Sequence, residues 1–178
     1  MPKQAGVGAP MSEQETPDPP RTATFNILFV CTGNTCRSPL AEAIARQQLE
    51  RRGWSHVRVR SAGTGARAGD AASAHSLAVG DRHRVDLSAH RSRPLTPELV
   101  EWADLVLGMG PAHLEAVRRM GGEEKARTLG DFVAGGEGLG DPVPDPFGGP
   151  EEVYEETYAA LERLVGHALD RLVPILAP

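Results

Sequence analysis

Two cysteines, one arginine and two aspartates are the side chains of this sequence whose spacing suits covalent chemistry. Cys31 closes an apolar run, Phe25-Asn26-Ile27-Leu28-Phe29-Val30, and Arg37 follows after Thr32, Gly33, Asn34, Thr35 and Cys36. Ser38-Pro39 then opens a helical pattern. A loop that leaves the carboxyl end of a buried strand and enters a helix can turn successive backbone N–H groups toward an anion at the positive end of the helix dipole. Gly33 and Asn34 tolerate the dihedrals such a loop demands. The same field favours a thiolate at Cys31, which makes it a ready nucleophile. Arg37 offers a planar fork that holds two phosphoryl oxygens at once, which the point charge of a lysine cannot match. Ser38 is placed to donate to the sulfur when it becomes a leaving group. A cysteine and an arginine at this distance mean little alone; the strand, glycine and helix start around them point to phosphoryl transfer.

Breaking a P–O or P–N bond also needs a proton for the departing group. Asp141 and Asp145, in Asp141-Pro142-Val143-Pro144-Asp145-Pro146-Phe147-Gly148-Gly149, are the candidates. Both precede proline and both suit turn initiation, so spacing does not choose between them. No C-x2-C pair occurs, and His56, His75, His83 and His90 show no ligand pattern, so neither a metal nor a cofactor is expected.

The elements that must position these residues alternate along the chain. A strand at 25–30 leads to a helix at about 39–52, a strand at 56–60 and a helix at about 71–83. Thr96-Pro97-Glu98 reads as an N-cap with proline at the first helical position, ahead of a strand at 104–109 and a helix at about 111–120. A weak strand at 126–129 precedes the Gly-rich connection 135–140. Beyond Pro150, Val153, Thr157, Leu161, Leu164, Val165, Ala168, Leu169 and Leu172 recur at helical spacing. The expected architecture is a three-layer α/β domain: a small parallel sheet of about four strands, helices on both faces, and the phosphate-binding loop after the first strand.

At 178 residues the chain suits one core, placed at 25–178. Residues 1–24 hold five of the fifteen prolines and no apolar periodicity, and are expected to form a disordered arm. No run approaches the roughly 20 apolar residues that cross a bilayer, so no membrane association is expected. The net charge of −5 argues against nucleic acid as a partner. Two cysteines within one loop make no disulfide framework, which points to the cytoplasm.

The run Cys31-Thr32-Gly33-Asn34-Thr35-Cys36-Arg37-Ser38-Pro39 followed by Ala41-Glu42-Ala43 resembles the signature of the low-molecular-weight protein tyrosine phosphatases. The likeness continues through Ser61-Ala62-Gly63, His75, Asp86-Leu87-Ser88, His90-Arg91-Ser92 and Asp104-Leu105-Val106-Leu107 to Asp145-Pro146-Phe147-Gly148-Gly149. This resemblance implies a phosphocysteine at Cys31, Asp145 as the general acid, and Asn34, Ser61 and His75 as a buried network holding the loop. It also implies phosphorylated proteins as substrates, opposite a protein kinase.

Within that family this chain departs from the tyrosine-specific pattern. A phosphotyrosine pocket is walled by aromatics, yet the chain is 4% aromatic, Thr64-Gly65-Ala66-Arg67-Ala68-Gly69 has none, and the acid loop has only Phe147. Thr35 stands where tyrosine phosphatases of the family usually carry Ile, and bacterial protein-arginine phosphatases are similar to this chain in having Thr. A small hydroxyl-bearing side chain admits a guanidinium where a branched alkyl group would leave its N–H donors unpaired. Phosphoarginine is therefore the expected substrate and phosphotyrosine the alternative. Arsenate reduction would need a relay cysteine after Cys36, and none follows. A phosphocysteine carrier would need neither Arg37 nor an acid loop. Cys36 is close enough in sequence to Cys31 for a reversible, protective disulfide.

Overall fold

The computed structural model describes residues 23–177. The arm expected over 1–24 falls almost wholly outside the described residues. Four strands, β1 (Phe25–Cys31), β2 (Val57–Gly63), β3 (Leu105–Gly108) and β4 (Ala126–Thr128), form one parallel sheet in the order β2-β1-β3-β4. β1 pairs with β2 from Phe25↔Val57 to Cys31↔Gly63, and with β3 from Ile27↔Leu105 to Val30↔Gly108.

Strand β1 is apolar on both sides because both faces of the sheet are covered. Ile27, Phe29 and Cys31 face a core shared with the helices α1 (Arg37–Arg52), α2 (Ala74–Arg82), α5 (Leu129–Ala134) and α6 (Glu151–Leu176). Leu28 and Val30 face a second core closed by α3 (Pro97–Trp102) and α4 (Pro111–Arg119). The chain leaves β1 toward one face and reaches β3 from the other. The carboxyl end of β1 is thus the crevice where sheets of this kind bind ligands.

Local differences from the sequence expectations have local causes. Helix α1 begins already at Arg37, so the loop passes directly into its first turn, where Pro39 is tolerated. Helix α2 begins at Ala74, not 71, because Ser73 caps it and accepts the N–H of Ser76 at 3.2 Å. Strand β2 runs on to Gly63. Helix α5 was not anticipated: six residues are too few for a periodic pattern, and caps alone define it. Thr128 accepts the Asp131 N–H at 3.0 Å at its start, and Gly135 ends it with φ 87°. In α6, Tyr154 and Tyr158 are buried while Val153 and Leu164 lie at the margin of the core. Among the described residues no helix is long and apolar enough to cross a membrane.

Candidate active site

The loop after β1 lines a cavity of about 220 Å3 with Cys31, Thr32, Gly33, Thr35, Cys36, Arg37, Asp145 and Phe147 on its walls. Among the described residues, the backbone N–H groups from Gly33 to Arg37 find no protein acceptor. They form a run of donors at the start of α1, the arrangement that holds an oxyanion.

The loop is fixed from beneath. Asn34 is fully buried with φ 54°, a left-handed conformation that asparagine tolerates. Its Nδ2 donates to Ser38 Oγ at 2.8 Å and to Ser61 Oγ at 3.0 Å, and its Oδ1 accepts the Arg93 N–H at 2.9 Å. Its carbonyl oxygen lies 2.7 Å from His90 Nε2, and Ser61 Oγ donates to Glu42 Oε2 at 2.5 Å. Gly63 lies directly below: a Cβ there would stand 2.4 Å from the Thr32 carbonyl oxygen and 2.9 Å from the Asn34 nitrogen. Only glycine permits this approach.

Ser38 Oγ stands 2.9 Å from Cys31 Sγ. Ser38 accepts from Asn34, and its own hydrogen faces two acceptors, the sulfur and the Ala62 carbonyl oxygen at 3.5 Å; the sulfur is the nearer, and a departing thiolate would draw the hydrogen to it. Arg37 is buried, donates to the Val143 carbonyl oxygen at 3.0 Å and approaches Asp145 Oδ2 to 3.6 Å. Asp145 is half-exposed at the mouth, its Oδ1 accepting the Phe147 N–H at 3.1 Å, and Phe147 is 78% exposed. Asp141 lines a different cavity, with Gly130 and Val133. The geometry therefore separates two aspartates that spacing left equivalent.

His75 is not brought into this network. It is exposed on α2 and packs its ring against Tyr154 at 5.0 Å between centroids. The histidine that meets Asn34 is instead His90, which the turn Asp86–His90 carries beneath it. Ser61 and Asn34, by contrast, do meet.

Three further residues escaped the sequence reading. His113 bridges Gly110 and Thr32; its signal was Gly110-Pro111-Ala112-His113, a helix start whose N3 side chain can reach back. Tyr154 and Ser73 hold Cys36 from the other side, with Sγ 3.5 Å from the phenol oxygen and 3.4 Å from Ser73 Oγ. Burial, then the Cys36 contact, pushes the Tyr154 phenol up to about 12, so it stays protonated. Among the described residues no three His, Cys, Asp or Glu side chains converge as a metal site would require.

The family model for low molecular weight phosphotyrosine protein phosphatases matches residues 26–173. The chain belongs to that family. Members similar to it include the protein-arginine-phosphatases of Bacillus subtilis, 43% identical over 79% of this chain and 92% of theirs, and of Geobacillus stearothermophilus, 41% identical over 83% and 96%. The tyrosine phosphatase Etp of Escherichia coli is 35% identical over 78% of this chain and 89% of its own. Among solved structures, a mutant of the arginine phosphatase YwlE with a phosphorylated active-site serine superposes with a TM-score of 0.77 at 40% identity, covering 83% of this chain and 95% of the other. The three-layer arrangement with a four-stranded parallel sheet is thus that of the family.

Proposed function

We propose that this protein hydrolyses phosphoarginine on other proteins through a phosphocysteine intermediate at Cys31. The Cys31 sulfur attacks phosphorus while the loop N–H groups and Arg37 hold the equatorial oxygens. The P–N bond breaks as the Asp145 carboxyl proton passes to the departing guanidino nitrogen. Water then attacks the phosphocysteine and gives its proton to the Asp145 carboxylate. The S–P bond breaks, Ser38 donates to the returning thiolate, and inorganic phosphate leaves. The phosphorylated serine in the mutant YwlE structure supports covalent phosphorylation at the corresponding loop.

The observation that carries the substrate is Thr35. Its half-buried side chain lines the cavity, and Phe147 is the one aromatic residue on those walls. Such a cavity offers a hydroxyl and a single aromatic side chain to a polar planar group, but not the several aromatic walls that a phenyl ring would fill. Two of the relatives reported above are protein-arginine-phosphatases, which agrees with this reading. Acting opposite a protein kinase, the enzyme would work in the cytoplasm, where Cys31 and Cys36 remain free thiols.

Phosphate release from phosphoarginine and phosphotyrosine peptides is the test. Faster turnover of phosphoarginine is expected, and Thr35→Ile should shift the ratio toward phosphotyrosine. A large preference for phosphotyrosine in the unmodified chain would overturn the substrate.

A further inference from the structure

Among the described residues His113 is the one buried histidine, and it has no part in the steps above. Its Nδ1 stands 3.0 Å from the Gly110 nitrogen. A backbone N–H can only donate, so Nδ1 accepts and the ring proton sits on Nε2. That nitrogen lies 3.0 Å from Thr32 Oγ1 and therefore donates to it. The start of α4 lies close against β3: a Cβ on Gly108, at the end of that strand, would press to 3.2 Å from the His113 Cβ. The ring thus ties the first residue after Cys31 to the strand and helix on the far side of the sheet.

We propose that His113 is a positioning residue that fixes the Thr32 wall of the phosphate loop, and that it does so as a neutral, Nε2-protonated ring. The network under Asn34 holds the loop from the β2 side. Thr32 is exposed and reaches the scaffold on the β3 side through this one side-chain bond. The charged groups facing the ring are Arg37 from α1 and Asp145 from the acid loop. Burial first and Arg37 second push its pKa down to about 4, with Asp145 opposing, so the ring is uncharged wherever the enzyme would work. Protonation of Nδ1 would set two donors against each other at Gly110.

Asparagine and glutamine divide the two bonds. His113→Asn keeps an acceptor for the Gly110 N–H but cannot reach Thr32, whereas His113→Gln keeps a donor at the Nε2 position and loses the acceptor. The kinetic readout rests on the hydrolase reading; binding of orthovanadate, measured by calorimetry, does not. We expect H113N and Thr32→Val each to weaken orthovanadate about fivefold and to lower kcat by a like factor, the worth of one neutral hydrogen bond. The double variant should lose no more than either alone, and H113Q should bind orthovanadate as the unmodified chain does. Unchanged binding in T32V, which alters only an exposed loop side chain, or additive losses in the double variant, would overturn the proposal. A chain that shows these binding losses yet hydrolyses neither phosphopeptide supports the role of His113 and overturns the hydrolase reading alone.

Discussion

Arg37 and Asp145 are held 3.6 Å apart across the mouth of the cavity, and the same guanidinium donates to Val143 two residues upstream of the aspartate at 3.0 Å. One side chain therefore anchors the acid loop and, in the proposed mechanism, clamps the phosphoryl group. The contact with the half-exposed Asp145 is worth little in stability, but the buried bond to the Val143 carbonyl sets the distance between acid and nucleophile. Arg37→Lys should lose both the two-oxygen grip and that anchor, lowering kcat by at least about a hundredfold, as removal of an oxyanion donor does. Asp145→Asn should cost about 10²–10⁴-fold by removing proton transfer alone. Steady-state kinetics on a phosphopeptide check both, and an active Asp145→Asn enzyme would place the acid elsewhere.

Gly63 offers a test of the loop that touches no functional side chain. A methyl group there would meet backbone atoms of Thr32 and Asn34 that cannot swing aside. Gly63→Ala should destabilise the fold by about 1–3 kcal/mol, the usual cost of overpacking, and displace the loop as it does so. Urea denaturation and orthovanadate affinity should fall together; a stable variant with normal affinity would contradict the close approach.

The depressed pKa of His113 gives a pH dependence of definite sign. The ring titrates near 6.5 when unfolded and near 4 when folded, so between these values the unfolded chain binds more protons. Stability should therefore rise with pH across that window and fall as pH drops through it. In His113→Asn this slope disappears, so its stability relative to the unmodified chain should improve at pH 5 compared with pH 7.5. Denaturation at the two pH values measures it.

Cys31 and Cys36 are both free thiols on the cavity wall, and peroxide would first convert Cys31 to a sulfenic acid. Attack by the Cys36 thiol would then expel water and form a disulfide. Activity lost to excess peroxide should return with dithiothreitol, and should not return in Cys36→Ser, where a second peroxide oxidises the unprotected sulfenic acid to a sulfinic acid that thiols do not reduce. Loss that dithiothreitol cannot reverse in the unmodified chain would exclude the protective role.

The phosphate loop was legible because its chemistry is local. A strand, a glycine, an arginine and a helix start lie within fifteen residues, and each acts on its sequence neighbours. The alternation of strands and helices was legible for the same reason. Asp145 was preferred to Asp141 by family resemblance alone, since spacing did not choose: the physical reason is how the acid loop crosses α5, where Gly130 and Gly140 meet backbone to backbone, and α5 is too short to announce itself. His113 and Tyr154 were hidden because a histidine and a tyrosine at helix starts look like ordinary surface residues. Only the tertiary arrangement aims them at Thr32 and Cys36. His75 and His90 were exchanged because a motif fixes which residues are present, not which of two nearby histidines turns inward.

Asn34 and Thr35 are adjacent, yet one is sunk into the scaffold and the other looks into the cavity. On the proposed reading the oxyanion grip depends on the first and the choice of leaving group on the second, so the two properties can drift independently. A single codon at position 35 could redirect such an enzyme between phosphorylated side chains while the machinery beneath it stays untouched. That separability would let one ancestral scaffold serve both arginine and tyrosine signalling without passing through an inactive intermediate.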